Sequence, residues 1–173
     1  MNLESKTIRL RFVEENDAEF ILKLRLDEKY NKYLSSVSSD VNAQKNWIRA
    51  YKEDEKEGRQ FYFIIEKLDG TQCGTLRVYD IRTDSFSWGS WILNEDKTKY
   101  AAIESAFLVY KFGFEYLGYN KSHFEVVKGN DSVISFHKKM GAVVNGEDDE
   151  HFYFEILNKS VEASKEKLIG KVL

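Results

Sequence analysis

The stretch Asn130-Asp131-Ser132-Val133-Ile134-Ser135-Phe136-His137-Lys138-Lys139-Met140-Gly141 decides the fold of this 173-residue chain. Asparagine is a common helix N-cap, glycine commonly ends a helix, and the apolar residues between them follow helical spacing. The pattern therefore predicts a helix across the stretch. This helix follows a predicted strand at Ser122–Val127 and precedes two more, at Ala142–Val144 and His151–Leu157.

The chain before this unit is dominated by strand patterns. Ile8–Val13 alternates between apolar and polar residues, as a strand does. Three closely spaced strands are predicted next, at Phe61–Glu66, Cys73–Ile81 and Ser85–Leu93. Asp69-Gly70 between the first two is a strong hairpin signal, so an antiparallel meander is expected.

Helical patterns fill the remaining segments. A helix capped by Asn16 or Asp17 is predicted after the first strand, followed by a second helical piece over residues 30–34 and a serine-rich turn from Ser35 to Ser39. Another helix is capped by Asp40 or Asn42, and a long one runs from Ala101 to a glycine stop at Gly118. This order predicts an α+β fold class, a mixed α/β arrangement with a twisted, mostly antiparallel sheet of about seven strands flanked by helices.

Composition limits the class of protein. One domain over residues 1–157 is expected, with a lysine-rich and weakly helical tail over 158–173. The net charge of −3 is spread along the chain, which argues against nucleic-acid binding. No apolar run approaches the about 20 residues needed to cross a bilayer, so no membrane partner is expected. A single cysteine, Cys73, excludes an internal disulfide and favours a cytoplasmic location.

The quoted stretch also carries a family resemblance. Asn130, Lys139 and Gly141 match a recurring pattern of the GNAT superfamily of acetyl-CoA-dependent N-acetyltransferases, which the chain resembles from about residue 7 to residue 157. The segments Ile8-Arg9-Leu10-Arg11 and Gly89-Ser90-Trp91-Ile92 are similar to the branch of the ribosomal-protein alanine acetyltransferases. The aromatic-rich first half and the alanines that open the long helix also resemble enzymes that acetylate nucleotide-linked amino sugars.

The resemblance implies acetyl-CoA as co-substrate, no metal, and a set of cofactor-binding residues. Asn130 would contact the pantetheine arm. His137 stands where the family has a tyrosine that protonates the departing thiolate, and imidazole can do the same chemistry. The implied backbone and phosphate-loop contacts are Trp91, Ile92, Leu93, Lys97, Thr98, Lys99, Tyr100, Ala101 and Ala102.

The implied phosphate loop departs from the family pattern. Tyr100 stands where a glycine is expected, and a tyrosine restricts both the close approach of the backbone and a positive φ. Three alternatives stay open: the loop follows another path, it binds CoA less tightly, or it does not bind CoA. Lys97 and Lys99 are candidates to compensate as charge partners of phosphate.

The group that takes the proton from the amine is not evident. Many relatives place a glutamate on the fourth strand, at the position of Ser87, and serine is a poor base. His123, Asp80 and Glu125 are the alternative candidates, and a chain of water molecules is another. The catalytic residues predicted are His137 on the thiolate side and His123 or Ser87 on the amine side.

The predicted function is an N-acetyltransferase that acetylates a primary amine of a small molecule by direct transfer in a ternary complex. The acceptor most consistent with the resemblance is a nucleotide-linked amino sugar, bound by an aromatic-rich region with the residues Arg25, Tyr30, Tyr33, Trp47, Tyr51 and Trp88. Two alternatives remain, a protein N-terminal acetyltransferase and a non-catalytic protein that binds or senses acyl-CoA. The sequence also leaves a homodimer open.

Overall fold

The structure, a computed structural model, describes residues 1–34 and 36–172, with side chains as far as residue 168. Ser35, in the predicted serine-rich turn, and the last residue of the predicted tail lie outside the described residues. The strands are β1 (Ile8–Phe12), β2 (Phe61–Lys67), β3 (Gln72–Tyr79), β4 (Ser87–Leu93), β5 (Lys121–Val127), β6 (Val143–Glu147) and β7 (His151–Leu157). The helices are α1 (Ala18–Leu26), α2 (Val41–Lys56), α3 (Ala101–Lys111), α4 (Asp131–Lys139) and α5 (Asn158–Val172).

These strands form two sheets. The first has the order β1-β2-β3-β4 and the second the order β5-β7-β6, and neighbours within each sheet are antiparallel. The two sheets meet through one isolated parallel bridge between Phe86 and Ser122. The predicted fold class is confirmed, and the structure adds that the strands divide between β4 and β5.

The helices cover both sheets, and local signals explain some of their ends. Asp40 caps α2, because its carboxylate accepts the backbone N–H of Asn42 at 2.9 Å. α3 continues as a π-helical turn at Phe112–Tyr116, and Gly118 with φ of 84° ends it. α5, formed by the tail, packs on α3 and buries Val161.

The prediction of a helix over residues 30–34 was wrong. The segment between α1 and α2 forms turns instead, and the phenol hydroxyls of Tyr30 and Tyr33 reach away to two other parts of the chain. Aromatic spacing in a short window cannot distinguish a helix from a loop that is held by its side chains.

The long helix lies close to the start of β4. The fully buried ring of Phe86 fills the space beside Gly113, where an added Cβ would meet ring atoms at 2.0 Å. Glycine is therefore required at this crossing for steric reasons. None of the helices described, over residues 1–34 and 36–172, is long and apolar enough to span a membrane.

Candidate functional site

The functional region lies where β4 and β5 separate. Both strands run in the same direction from the bridge, which the carbonyl of Phe86 reinforces by accepting the backbone N–H of His123 at 2.9 Å and the hydroxyl of Ser122 at 2.8 Å. Beyond it, β4 turns away from β5: the pairing of β3 with β4 shifts register between Thr75 and Arg77, and Ser90 has a φ of 48°. Positive φ is uncommon for a residue other than glycine. The split leaves one backbone edge of β4 without a strand partner among the described strands.

A cleft of about 570 Å³ opens at this split, and we call it the cofactor cleft. Its walls are the last part of β4, the second half of β5 and the start of α4. Of the predicted cofactor-binding residues, it brings together Trp91, Ile92, Leu93, Lys97, Ala102, Asn130 and His137. Their roles as ligand contacts stay predictions.

Four predicted contacts of the phosphate loop do not line this cleft. Ala101 is fully buried, and the hydroxyl of Thr98 lies 2.8 Å from that of Thr7. The Nζ of Lys99 lies over the ring of Tyr100, 5.3 Å from its centroid. The loop before α3 therefore presents Lys97 to the cleft and turns its remaining side chains elsewhere.

His137 lies in the apolar floor of the cofactor cleft. It is 4% exposed, and aromatic rings from four elements surround it, with the ring of Phe124 nearest at 4.3 Å between centroids. The other rings are those of Trp88, Trp91, Phe136 and Phe154. Burial lowers the pKa of His137 from 6.5 to about 3, so the imidazole is neutral at pH 7. Its buried Nδ1 has no hydrogen-bond partner among the described residues.

Asn130 stands at the N-cap of α4, but its side chain makes no capping hydrogen bond. The expected cap is therefore absent, and the side chain lines the cofactor cleft instead. An amide that is not used for capping is free to bind a ligand. At the other end of α4, Gly141 has a φ of 103°, as expected for a helix-ending glycine.

The segment between α1 and α2 supplies a wall that the sequence did not predict for this cleft. Tyr30 donates its hydroxyl to Glu95 at 2.5 Å, and Tyr33 donates to the carbonyl of Gly129 at 3.0 Å. The segment is thus held to both sides of the cleft, and it brings Lys29 and Lys32 to the lining. The repeated Lys-Tyr pair at residues 29–30 and 32–33 is the signal that could have identified it.

A second cavity, of about 540 Å³, lies on the other side of the split, and we call it the acceptor-side pocket. Ser87 and His123, two of the predicted catalytic residues, line it, whereas His137 does not. Phe124 and Glu125 line both this pocket and the cofactor cleft. The two cavities therefore adjoin at these two residues of β5, which we call the seam.

Both ring nitrogens of His123 are engaged. Its Nε2 lies 2.9 Å from a carboxylate oxygen of Asp80, and its Nδ1 lies 2.6 Å from the hydroxyl of Ser85. The hydrogen bond from His123, with further support from Arg82, holds the pKa of Asp80 below its usual value. Because a charged carboxylate only accepts, Nε2 carries the donated hydrogen, and a neutral ring then accepts from Ser85 through Nδ1.

Three residues predicted for acceptor binding lie away from both cavities. Tyr51 packs on Tyr62 and accepts a hydrogen bond from Arg77 at 3.0 Å, Arg25 is buried in α1, and Trp47 is exposed on α2. The other three, Tyr30, Tyr33 and Trp88, line the cofactor cleft. The aromatic residues predicted for acceptor binding therefore divide between the packing around Tyr62, the surface and the cofactor cleft.

Two other kinds of chemistry lack a site in the part of the chain that the structure describes. It contains no group of three histidine, cysteine, aspartate or glutamate side chains placed to hold a metal ion. Cys73 is buried in β3, and burial raises the pKa of its thiol to about 11, so it is a poor nucleophile at neutral pH.

Comparisons with known proteins agree with this arrangement. The family model described as acetyltransferase (GNAT) domain matches residues 7–143. A structure described as apo FdhC, a nucleotide-linked sugar GNAT, is 51% identical with a TM-score of 0.90, and the match covers 98% of this chain and 97% of that one. No curated protein sequence matches the chain significantly.

Two more distant structures share the fold. The ribosomal-protein-S5-alanine acetyltransferase from Vibrio fischeri is 16% identical, with a TM-score of 0.78 and coverage of 91% of this chain and 97% of that one. The spermidine N-acetyltransferase from Vibrio cholerae, in complex with CoA and spermine, is also 16% identical, with a TM-score of 0.77 and coverage of 90% and 98%. With a family model over most of its length and a half-identical relative over nearly all of it, the chain belongs to the GNAT family of acetyltransferases.

Proposed function

We propose that this chain transfers an acetyl group from acetyl-CoA to a primary amine of a nucleotide-linked amino sugar, with both substrates bound at once. The observation that supports this most is the pair of cavities that adjoin at the seam residues Phe124 and Glu125. Because the two cavities share these lining residues, a donor in one and an acceptor in the other would lie next to each other. Direct transfer also agrees with Cys73, whose thiol is buried and protonated and so is not suited to carry an acyl group.

The residues of the cofactor cleft fit the chemistry of acetyl-CoA. The unpartnered edge of β4 at residues 91–93 offers backbone donors and acceptors to the amides of pantetheine, as an added strand would. Lys29, Lys32 and Lys97 offer positive charge to the phosphates. The lysines of the segment between α1 and α2 thus add phosphate contacts where Tyr100, in place of glycine, restricts the approach of the loop backbone.

His137 and Asn130 complete the proposed donor site. Acetyl-CoA, when bound, supplies a thioester whose carbonyl carbon is open to attack by an amine. A neutral imidazole donates a hydrogen bond without carrying a positive charge, so we assign His137 to stabilise the departing sulfur by its N–H. The unpartnered Nδ1 in an apolar floor supports this role, since a ligand would satisfy it.

The two cations of the acceptor-side pocket lie at one end, each paired with an aspartate, and Glu125, unpaired among the described residues, lies at the other. Arg82 and Lys121 lie with the loop before β4 and the first residue of β5, and Glu125 lies at the seam four residues along β5. A strand rises by about 3.3 Å per residue, so the two ends are roughly 13 Å apart. An acceptor with an amine at one end and a diphosphate at the other would fit this spacing, with the diphosphate taking the place of Asp80 and Asp84 beside Arg82 and Lys121. This fit supports a nucleotide-linked amino sugar. The half-identical sugar GNAT supports the same acceptor class.

The proposal is tested by incubating the protein with acetyl-CoA and a panel of amines while free thiol is measured. The panel contains nucleotide-linked amino sugars, the same sugars without the nucleotide, peptides that begin with alanine, and spermidine. Release with nucleotide-linked sugars, at least tenfold faster than with the free sugars, is the expected result. Release with peptides alone would favour a protein N-terminal acetyltransferase. Binding of CoA by calorimetry without release from any amine would favour a non-catalytic sensor.

A further inference from the structure

Among the described residues, Glu125 occupies a position that no other carboxylate shares. It is at the seam, where the cofactor cleft and the acceptor-side pocket adjoin, and it is the one described acidic residue that lines both. Phe124 and Val126 on either side of it are buried, so the alternation of β5 turns Glu125 outward to the face that also carries His123. A group at this position can contact an amine that approaches the thioester.

The carboxylate of Glu125 is also uncommitted. It makes no hydrogen bond or ion pair within the described residues, whereas Asp80 pairs with His123 and Arg82 at 2.9 and 2.8 Å, and Asp84 pairs with Lys121 at 3.1 Å. A carboxylate without a partner beside a substrate pocket is free to bind a cation from the substrate.

The two amine-side residues predicted from the sequence are less suited to proton removal. Both nitrogens of His123 are already bonded, to Asp80 and Ser85, so neither has a free lone pair aimed at the pocket. Ser87 is buried and has only a hydroxyl to offer. His123 is better placed to fix the loop before β4 against β5 than to take a proton from the acceptor.

We propose that Glu125 is a catalytic residue that binds the ammonium group of the acceptor at the seam and takes up its proton, an inference that rests on the proposed function. The uncharged amine then forms a C–N bond to the thioester carbonyl carbon while the C–S bond breaks. The nitrogen loses two protons in all. One ends on the departing sulfur, and the other passes to Glu125 and from there to solvent.

The groups that face Glu125 come from three elements and the loop before β4. Tyr153 lies directly opposite on β7, with its hydroxyl donating to Asp148, and Tyr79 faces it from β3. The remaining charged or titratable groups of the pocket are Asp80, Arg82, Asp84, Lys121, His123 and Glu155. The cations among these are paired with Asp80 and Asp84, which leaves Glu125 as the free negative charge nearest the cofactor cleft.

The test compares the wild type with Glu125→Gln, Glu125→Asp and the matched control Glu147→Gln. Glu147 is an exposed glutamate of the same sheet that lines neither cavity. We expect Glu125→Gln to lower kcat by about 100-fold for the preferred amine at pH 7, with the dissociation constant of CoA within twofold of wild type by calorimetry. Glu125→Asp should keep intermediate activity, and Glu147→Gln should match wild type.

The pH profile separates a base from a binding contact. Without a base, the residual kcat/KM of Glu125→Gln should rise with pH until the amine is deprotonated in solution. If the kcat of Glu125→Gln stays within threefold of the wild-type value at every pH, or if only its KM changes, the inference is overturned. The panel of amines distinguishes a failure of the proposed acceptor class from a failure of the role of Glu125. Glu125→Gln can be measured with any amine that the wild type acetylates, even one that is not a sugar. A wild type without turnover on any amine would overturn both.

Discussion

The cofactor cleft and the acceptor-side pocket adjoin at the seam but differ in charge. The cofactor cleft is lined by three lysines and one carboxylate, whereas the acceptor-side pocket is lined by four carboxylates, two cations and a histidine. One side therefore suits a ligand with several phosphates, and the other suits a cationic amine. In the proposed reaction, the lysines would attract the phosphates of the donor, and Glu125 would attract the ammonium group of the acceptor at the seam.

The two histidines that line these cavities also differ in their surroundings. His137 lies among aromatic rings with an unpartnered Nδ1, whereas His123 lies in a polar network with both nitrogens bonded. Their chemical roles are therefore set by their surroundings and not by the residue type. We therefore propose the neutral, buried ring of His137 for contact with the departing sulfur, and the doubly bonded ring of His123 for holding the pocket wall in place.

The largest effect on stability is expected where the two sheets meet, since both cavities depend on this point. In Gly113→Ala, the added Cβ would meet the Phe86 ring at 2.0 Å, and Phe86 forms the bridge between the sheets. We expect a loss of about 3 kcal/mol in the free energy of unfolding, although alanine has the better helix propensity by about 1 kcal/mol. For a chain of this size the melting temperature should fall by roughly 10 °C, measured by calorimetry.

Gly146→Ala is the matched control for this substitution. An added Cβ there meets Tyr153 at 3.5 Å, which is an ordinary van der Waals distance, and Gly146 does not have a positive φ. Its melting temperature should stay within about 2 °C of wild type. A Gly113→Ala protein as stable as the control would show that the helix and β4 can separate without loss.

The second prediction concerns the stability of the protein in acid, which depends on the buried ring of His137. The pKa of His137 is about 3 in the folded chain and about 6.5 in the unfolded chain, so between these values only the unfolded chain binds the proton. Stability must then fall as the pH falls below about 6.5, by roughly 2 kcal/mol between pH 7 and pH 5. His137→Phe should lose this dependence, as measured by urea unfolding at the two pH values. An equal loss in both proteins would place His137 in a wetter site.

The third prediction tests the proposed role of His137 in turnover. His137→Ala removes the N–H that we propose to stabilise the departing sulfur, so kcat should fall at least tenfold. The dissociation constant of acetyl-CoA should change little, because the lysines and the β4 edge are untouched. Stopped assays for kcat and calorimetry for binding check both parts. A kcat equal to wild type would remove His137 from the reaction.

Periodicity was enough to predict seven strands and the fold class, because most strands alternate or are continuously apolar over their own residues. β6 is the exception: the prediction covered residues 142–144, whereas the exposed strand runs over Val143–Glu147. The family resemblance, and not periodicity, led to the prediction that Asn130, Lys97 and His137 share one site, and all three line one cleft. The charge state of His137 could not be predicted, because the rings that bury it come from β4, β5, α4 and β7.

The split between β4 and β5 also could not be predicted from the sequence. It depends on a single bridge at Phe86 and on a positive φ at Ser90, a residue type that gives no signal for that conformation. The lysines of the segment between α1 and α2 were missed for a related reason. Tyr30 and Tyr33 hold that segment through hydroxyl contacts to residues 95 and 129, which lie far away in the sequence.

The last and smallest effect is expected from the charge of the cofactor cleft. Lys29→Gln, Lys32→Gln and Lys97→Gln should each raise the dissociation constant of CoA about threefold, since an exposed charge pair contributes roughly 0.2–1 kcal/mol. The triple variant should also show a weaker dependence of binding on salt, because fewer charges are screened. Lys138→Gln is the control, an exposed lysine of α4 that does not line the cleft. If the single and triple lysine variants all bind CoA as tightly as Lys138→Gln does, the positive lining is incidental, and the backbone of β4 must account for binding. If only Lys97→Gln is affected, the phosphates stay at the loop before α3, and the segment between α1 and α2 acts on the acceptor instead.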